Sequence, residues 1–293
     1  MALFSFFRFL KYKLSRVRIP ARSQNKREPQ KQTKERIVGL FDDIKAEVFV
    51  LDDCIKTNNP YIRRYKEYVF FLKKNREALL DEGKWDMILD KLPHISLPTE
   101  WTMGDYRPKD STDNILHLYV QRKDIPAPSE ELLMKYYFKY ESIFSEGGAR
   151  EDWEDLLPER IAPERIVTLD FTPEAIWDAY MLKSTDYYIG QRWHGNYHKM
   201  TIIGDMEELR KFSPWEEEEY IKYEKFINET EFDFDPKITL EGNVATIEHM
   251  AVFFTNHISH RKVTITYNKK ERIIENFKIE EDSLFHFTPR IRF

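Results

Sequence analysis

Apolar side chains recur at helical spacing through the first half of the chain and at strand spacing in much of the second, and this change of period sets the expected architecture. With residues placed 100° apart, Leu3, Phe6, Phe7, Leu10, Leu14 and Val17 fall within an arc of about 100°, while Arg8, Lys11, Lys13, Arg16 and Arg18 lie outside it. The pattern predicts a basic amphipathic helix. Residues 20–34, PARSQNKREPQKQTK, hold two prolines and mostly basic and amide side chains, which predicts a flexible linker. Ile37, Phe41, Ile44, Val48, Leu51 and Ile55 then alternate steps of four and three, the seam of a packed helix of about five turns. Asn58-Asn59 before Pro60 supplies a cap and a first-turn proline, and Ile62, Tyr65, Val69, Leu72 and Leu79 continue the spacing. An αα-hairpin is expected, and its seam is too short for self-association, so it reads as intramolecular core.

Residues 93–128 are turn-rich, with Pro93, Pro98, Pro108, Pro126 and Pro128 around one expected strand, Ile115–Gln121. Ser129-Glu130-Glu131 opens a predicted helix that runs to about Ser145 and ends at Gly147-Gly148. The glycine pair, with Pro158 and Pro163 beyond it, places the expected domain break between residues 147 and 164. Further on, Arg165–Phe171 predicts a strand, and Thr172-Pro173-Glu174 starts a helix that buries Ile176, Trp177, Tyr180 and Met181. A hairpin is expected from Asp186–Trp193 and Tyr197–Gly204 around His194-Gly195-Asn196, followed by helical turns over 206–227. Val244–Asn256 fits both a helix and a buried strand, and MAVFF favours the strand. Lys262–Tyr267, a turn at Asn268–Glu271 and Arg272–Ile279 read as a meander with one wet and one dry face. The fold class is therefore α+β: residues 1–35 a basic amphipathic helix plus linker, 36–150 mainly helical, and 151–293 an antiparallel β-meander with flanking helices.

Charge sharpens this division. Residues 1–36 carry a net charge of +9 and the remaining residues one of −14, so a cationic tail precedes an anionic body. No apolar run approaches the roughly 18–20 residues that cross a bilayer, and no transmembrane helix is expected. A secretory signal is not expected either, because the charge follows Leu3–Phe7 and no Ala-x-Ala site appears. The single cysteine, Cys54, closes no internal disulfide and reads as a small core residue in a reducing, cytoplasmic compartment. An acidic body argues against nucleic acid as its partner.

Catalytic signatures are missing. The nine glycines form neither a P-loop nor a dinucleotide-binding turn, and no Gly-x-Ser-x-Gly, His-Glu-x-x-His or Cys-x-x-Cys motif occurs, so no cofactor is expected. Five of the eight histidines lie between residues 194 and 260. His194 with His198, and His257 with His260, have ligand-like spacings that Asp233 or Asp235 would complete, giving an alternative reading as a metal-dependent hydrolase. A two-residue turn at Gly195-Asn196 would set His194 and His198 on opposite faces, whereas a three-residue loop would set them on one.

The remaining candidates are surfaces. Trp177, Tyr180, Tyr187, Tyr188, Trp193 and Tyr197 form an aromatic group suited to core packing or to a partner interface. Glu216, Glu217, Glu218 and Glu219 form an acidic first helical turn that could dock a basic partner. The tail suits an anionic headgroup region, with packing on the body, a groove-binding role and an organellar transit peptide as its other readings. The expected function is a non-catalytic protein-binding or adaptor role, peripheral to a membrane. A bacterial immunity-type protein, whose acidic body neutralises a basic toxin, is one instance of that class.

Overall fold

The computed structural model describes residues 59–105, 118–129, 131–132, 161–185, 188, 200–212, 214, 217–253 and 257–287. All of them belong to the compact unit that runs from Asp53 to Phe293. The basic tail, the linker, the predicted helix over 37–55 and most of the predicted helix at 129–145 lie outside the described residues. Where that last helix begins, the Ser129 hydroxyl accepts from Leu132 N–H at 3.3 Å, the expected cap.

Helix α1 (Pro60–Lys74) starts where the sequence places it, with the Asn59 side chain accepting from Tyr61 and Ile62 N–H at 2.9 and 3.1 Å and Pro60 in the first turn. Ile62, Tyr65, Tyr68 and Leu72 form its buried face. The expected single helix breaks at Asn75, where ψ turns to 16°, and resumes as α2 (Arg76–Leu80). A 3₁₀ turn, Trp85–Lys91, leads to a short ribbon of β1 (Ile95–Ser96) against β4 (Thr168–Leu169). A second ribbon pairs β2 (Trp101–Asp105) with β3 (Leu118–Arg122).

Helix α3 (Pro173–Lys183) is capped by Thr172, whose hydroxyl accepts from Ala175 N–H at 3.3 Å. Sequence spacing predicts one buried face, but every residue from Ala175 to Leu182 is buried, Asp178 included. An amphipathic pattern is absent because the helix is surrounded. Trp177 alone removes on the order of 150–250 Å² from water, several kcal/mol at about 25 cal/mol per Å².

Among the described residues the main sheet has five antiparallel strands. The long β7 (Val244–Phe253) pairs along one edge with β5 (Met200–Ile202) and β6 (Lys237–Glu241), and along the other with β8 (His257–Asn268). β9 (Ile273–His286) follows β8 on the outside. One face, carrying Ala245, Ile247, Val263, Ile265 and Tyr267, packs in a core with α1 and α3. At one end of the sheet the other face also carries a core, where Met250, Val252 and Ile258 meet Leu209 of α4 (Met206–Arg210) and Tyr223 and Ile227 of α5 (Glu217–Glu229). β7 therefore alternates in burial from Val244 to Glu248 and is buried at every position from His249 to Phe253. That double coverage is why MAVFF is continuously apolar and why its period did not distinguish strand from helix.

The α+β class with antiparallel sheets is observed. The main core joins Ile62, Leu72 and Ile95 to Leu169, Trp177, Ile247 and Ile265, so residues on both sides of the expected break at 147–164 share one interior. Of the expected hairpin over 186–204, only Tyr188, which is helical rather than extended, and residues 200–204, which include β5 paired with β7, are among the described residues.

Candidate functional site

The acidic helix start is where the sequence predicts it. Glu217 and Glu218 are exposed in the first turn of α5 and Glu219 is half-buried, while Glu216 lies outside the described residues. The helix carries five glutamates against two lysines and presents Tyr220, 44% exposed, and Ile221, 62% exposed, to solvent. The Tyr220 hydroxyl bonds Glu224, which also accepts from Arg210 Nη1 at 3.2 Å. Beneath, the Tyr223 hydroxyl donates to the Leu209 carbonyl at 2.5 Å. The outcome is an apolar pair on an acidic, firmly seated helix.

The aromatic group is otherwise placed. Trp177, on the enclosed helix α3, and Tyr188, packed on Tyr65 at 5.4 Å between ring centres, are buried in the core rather than displayed on a surface, a correction to the expected interface. Tyr187, Trp193 and Tyr197 lie outside the described residues, as do the tail residues from Leu3 to Arg18 and His194 and His198.

His257 and His260 do not form the expected ligand pair. The spacing of three aligns side chains on a helix, but both residues lie on β8, where an odd separation sends the imidazoles to opposite faces. His257 bonds Glu281 and stacks on Phe253 at 4.8 Å between ring centres. His260 shares the outer side with Asp233 and helps hold its carboxyl below the usual range, the larger cause being the bonded Lys237 ammonium at 2.6 Å. Asp235 accepts from Asn59 Nδ2 at 2.8 Å. Among the described residues no three His, Cys, Asp or Glu side chains converge as metal ligands would.

Two polar arrangements that sequence reasoning did not single out occupy the interior. In the first, the Tyr180 hydroxyl lies 2.7 Å from His249 Nε2, and His249 Nδ1 lies 3.2 Å from the Met250 carbonyl. A carbonyl only accepts, so the proton sits on Nδ1 and Nε2 accepts from the tyrosine. Burial pushes the His249 imidazole down to about 3. Nearby, the Tyr188 and Ser259 hydroxyls are buried with no hydrogen-bond partner among the described residues.

The second arrangement is open to solvent. Asp178, fully buried on α3, accepts from Arg64 Nη2 at 2.5 Å and from the His94 backbone N–H at 3.1 Å, and its Oδ2 lies 3.0 Å from His94 Nδ1, which also lies 3.0 Å from Arg64 Nη1. Burial raises the Asp178 carboxyl above its ordinary value, and the Arg64 guanidinium and His94 offset only part of that rise. The His94 side chain is 40% exposed and helps line a cavity of about 330 Å³. The cavity lies where the β1/β4 ribbon, the start of α3 and the turn holding Arg272 meet. Arg272 is fixed there by its carbonyl, which accepts from Leu169 N–H at 3.0 Å, and by an ion pair with Asp170 at 2.6 Å. The sequence signal for this cluster was a lone carboxylate inside the apolar run AIWDAYML, since a buried acid demands partners. Its partners stand 84 and 114 positions away, so no local motif records them.

No helix among the described residues is long and apolar enough to cross a membrane. No family model matches the chain, and no curated protein and no solved structure was found to resemble it.

Proposed function

We propose that the chain is a non-catalytic protein-binding or adaptor protein, held peripherally at an anionic, cytosolic membrane surface by its basic amphipathic N-terminus. Its acidic body engages a basic, amphipathic protein segment, as an immunity-type protein would. The observation that carries the binding half is the exposed Tyr220–Ile221 pair set among Glu217, Glu218 and the other glutamates of α5. An apolar centre supplies contact area and an acidic rim supplies steering and selectivity for a cationic partner. β9 adds to the acidity of the body, its exposed Glu275, Glu280, Glu281 and Asp282 outnumbering Lys278.

The membrane half rests on the tail, where each Lys or Arg near an anionic surface adds about 1 kcal/mol and the apolar stripe adds partition energy. Deleting residues 1–19 is expected to abolish sedimentation with anionic vesicles while the melting temperature of the body stays unchanged. Equal binding by the truncated chain would refute the tether.

A further inference from the structure

β9 is the last strand of the main sheet and, at 14 residues, the longest strand described. At its start β4 comes close, where Leu169 N–H donates to the Arg272 carbonyl. Beyond that point no strand among the described residues pairs with its outer side. Two bulges, at Glu275 and at Leu284, interrupt the register with β8 and leave a regular stretch from Asn276 to Ser283. All of that stretch is exposed except Phe277, which is half-buried. Ile279 and Phe277 stand opposite Val263 and Ile265 on the core side of the sheet, yet Ile279 is 37% exposed. Asn276, Lys278, Glu280 and Asp282 stand on the other side.

An open edge of this length is a template for another strand, and charged side chains protect such edges because most registers set like charges together. One register of β9 with itself escapes that rule. When a second copy pairs antiparallel about a two-fold axis at Ile279, each residue meets the one equally far beyond the axis. Ile279 then abuts Ile279 of the second copy, Lys278 faces Glu280 and Asn276 faces Asp282, the last two pairings each occurring twice. On the core side Phe277 lies diagonal to Ile279 of the second copy, which enlarges the apolar strip and covers it. Moving the axis by one residue sets Lys278 or Glu280 against itself. Placing the axis between residues joins the core side of one copy to the outer side of the other, and Ile279 then meets Lys278 or Glu280. Within one strand Lys278 and Glu280 lie 2.8 Å apart, an exposed pair worth little, so little is lost when each turns to the second copy.

We propose that the chain forms a two-fold homodimer by pairing β9 with β9 of a second copy in the register centred on Ile279, so that the two main sheets become one. The paired stretch, from Asn276 to Asp282, spans about 24 Å. A contact of this size stands at the low end of specific interfaces, and the dimer accordingly forms in the micromolar range. The interface uses neither Tyr220 and Ile221 nor the glutamates of α5, and it stands or falls independently of the proposed adaptor role.

The test is sedimentation equilibrium of the full chain, without lipid and at physiological salt, from about 1 μM to about 1 mM. The wild type should pass from monomer to dimer over that range. Lys278→Glu and Glu280→Lys each turn two attractive pairs repulsive and should raise the dissociation constant about tenfold or more, and the double swap should restore it. Glu280→Lys also lowers the net acidity of the chain, so weaker association of this variant reports the register and not overall charge. All these changes fall on exposed side chains, and melting temperatures at monomer concentrations should match wild type. In a Cys54→Ala chain, Ile279→Cys should oxidise to a disulfide-linked dimer, because a residue on the axis faces its own copy, whereas Glu281→Cys should not. A monomer at every concentration, a dimer that the single swaps leave unchanged, a double swap that stays weak, or equal cross-linking at 279 and 281 would each overturn the proposal.

Discussion

Replacing Asp178 with alanine is expected to destabilise the folded chain by about 3 kcal/mol, at the low end for breaking a buried ion pair because Arg64 keeps some contact with water. The side chain of Asp178 is fully buried and that of Arg64 is 23% exposed. Burial raises the carboxyl despite Arg64, so the ionised group is itself costly to hold. The loss on truncation comes from what remains: a guanidinium and a backbone N–H facing a space with no acceptor. For a body of this size the melting temperature should fall by about 6–12 °C, and the urea midpoint should move without a change in slope. Asp178→Asn keeps one acceptor oxygen and should lose less. A loss below about 1 kcal/mol for Asp178→Ala would mean that the guanidinium and the backbone N–H find other acceptors.

Acidification carries the second large effect, through His249. Its folded value is about 3 and its ordinary value 6.5, so the folded state resists a proton that the unfolded chain accepts. A depressed folded value stabilises the protein above the unfolded value, and that contribution is lost as pH falls from 6.5 toward 3. At about 1.4 kcal/mol per unit the full gap is worth on the order of 5 kcal/mol, of which nearly 3 is lost over the first two or so pH units. Carboxylates elsewhere also titrate in this range, so the informative quantity is the difference between wild type and His249→Gln in urea midpoint across pH. The glutamine variant should start less stable at neutral pH and lose less on acidification. Parallel profiles would show that His249 is reached by water or protons in the folded state.

What could be read from the chain divides along physical lines. α1 was legible because Asn59-Pro60 and the spacing of Ile62, Tyr65 and Leu72 act within a few residues of one another. The meander of β8 and β9 was legible because Val263, Ile265 and Tyr267 alternate with polar residues on a sheet wet on one side there. β2 was missed because Trp101–Asp105, with a central Met-Gly, has little β-branched content and is defined by its pairing with β3. β6 was missed because Lys237 and Glu241 end a short strand whose partner, β7, lies across a turn at Gly242, where φ is +60°. At the sites, the acidic turn of α5 was legible because a run of glutamates at a helix start is a local feature. The His94–Asp178–Arg64 cluster was not, since only the packing of α1, α3 and the β1/β4 ribbon brings the three together. The histidine pair on β8 misled for the converse reason: its spacing acquires meaning only once the element is known, and a strand separates what a helix would align.

The central claim, a cationic tail that tethers an acidic binding body to a membrane, is tested most directly by co-sedimentation of the full chain with anionic and neutral vesicles at low and physiological salt. Binding to anionic vesicles only, weakening as salt screens the tail, is the predicted result. Absence of binding at low salt, or equal binding to neutral vesicles, would contradict it.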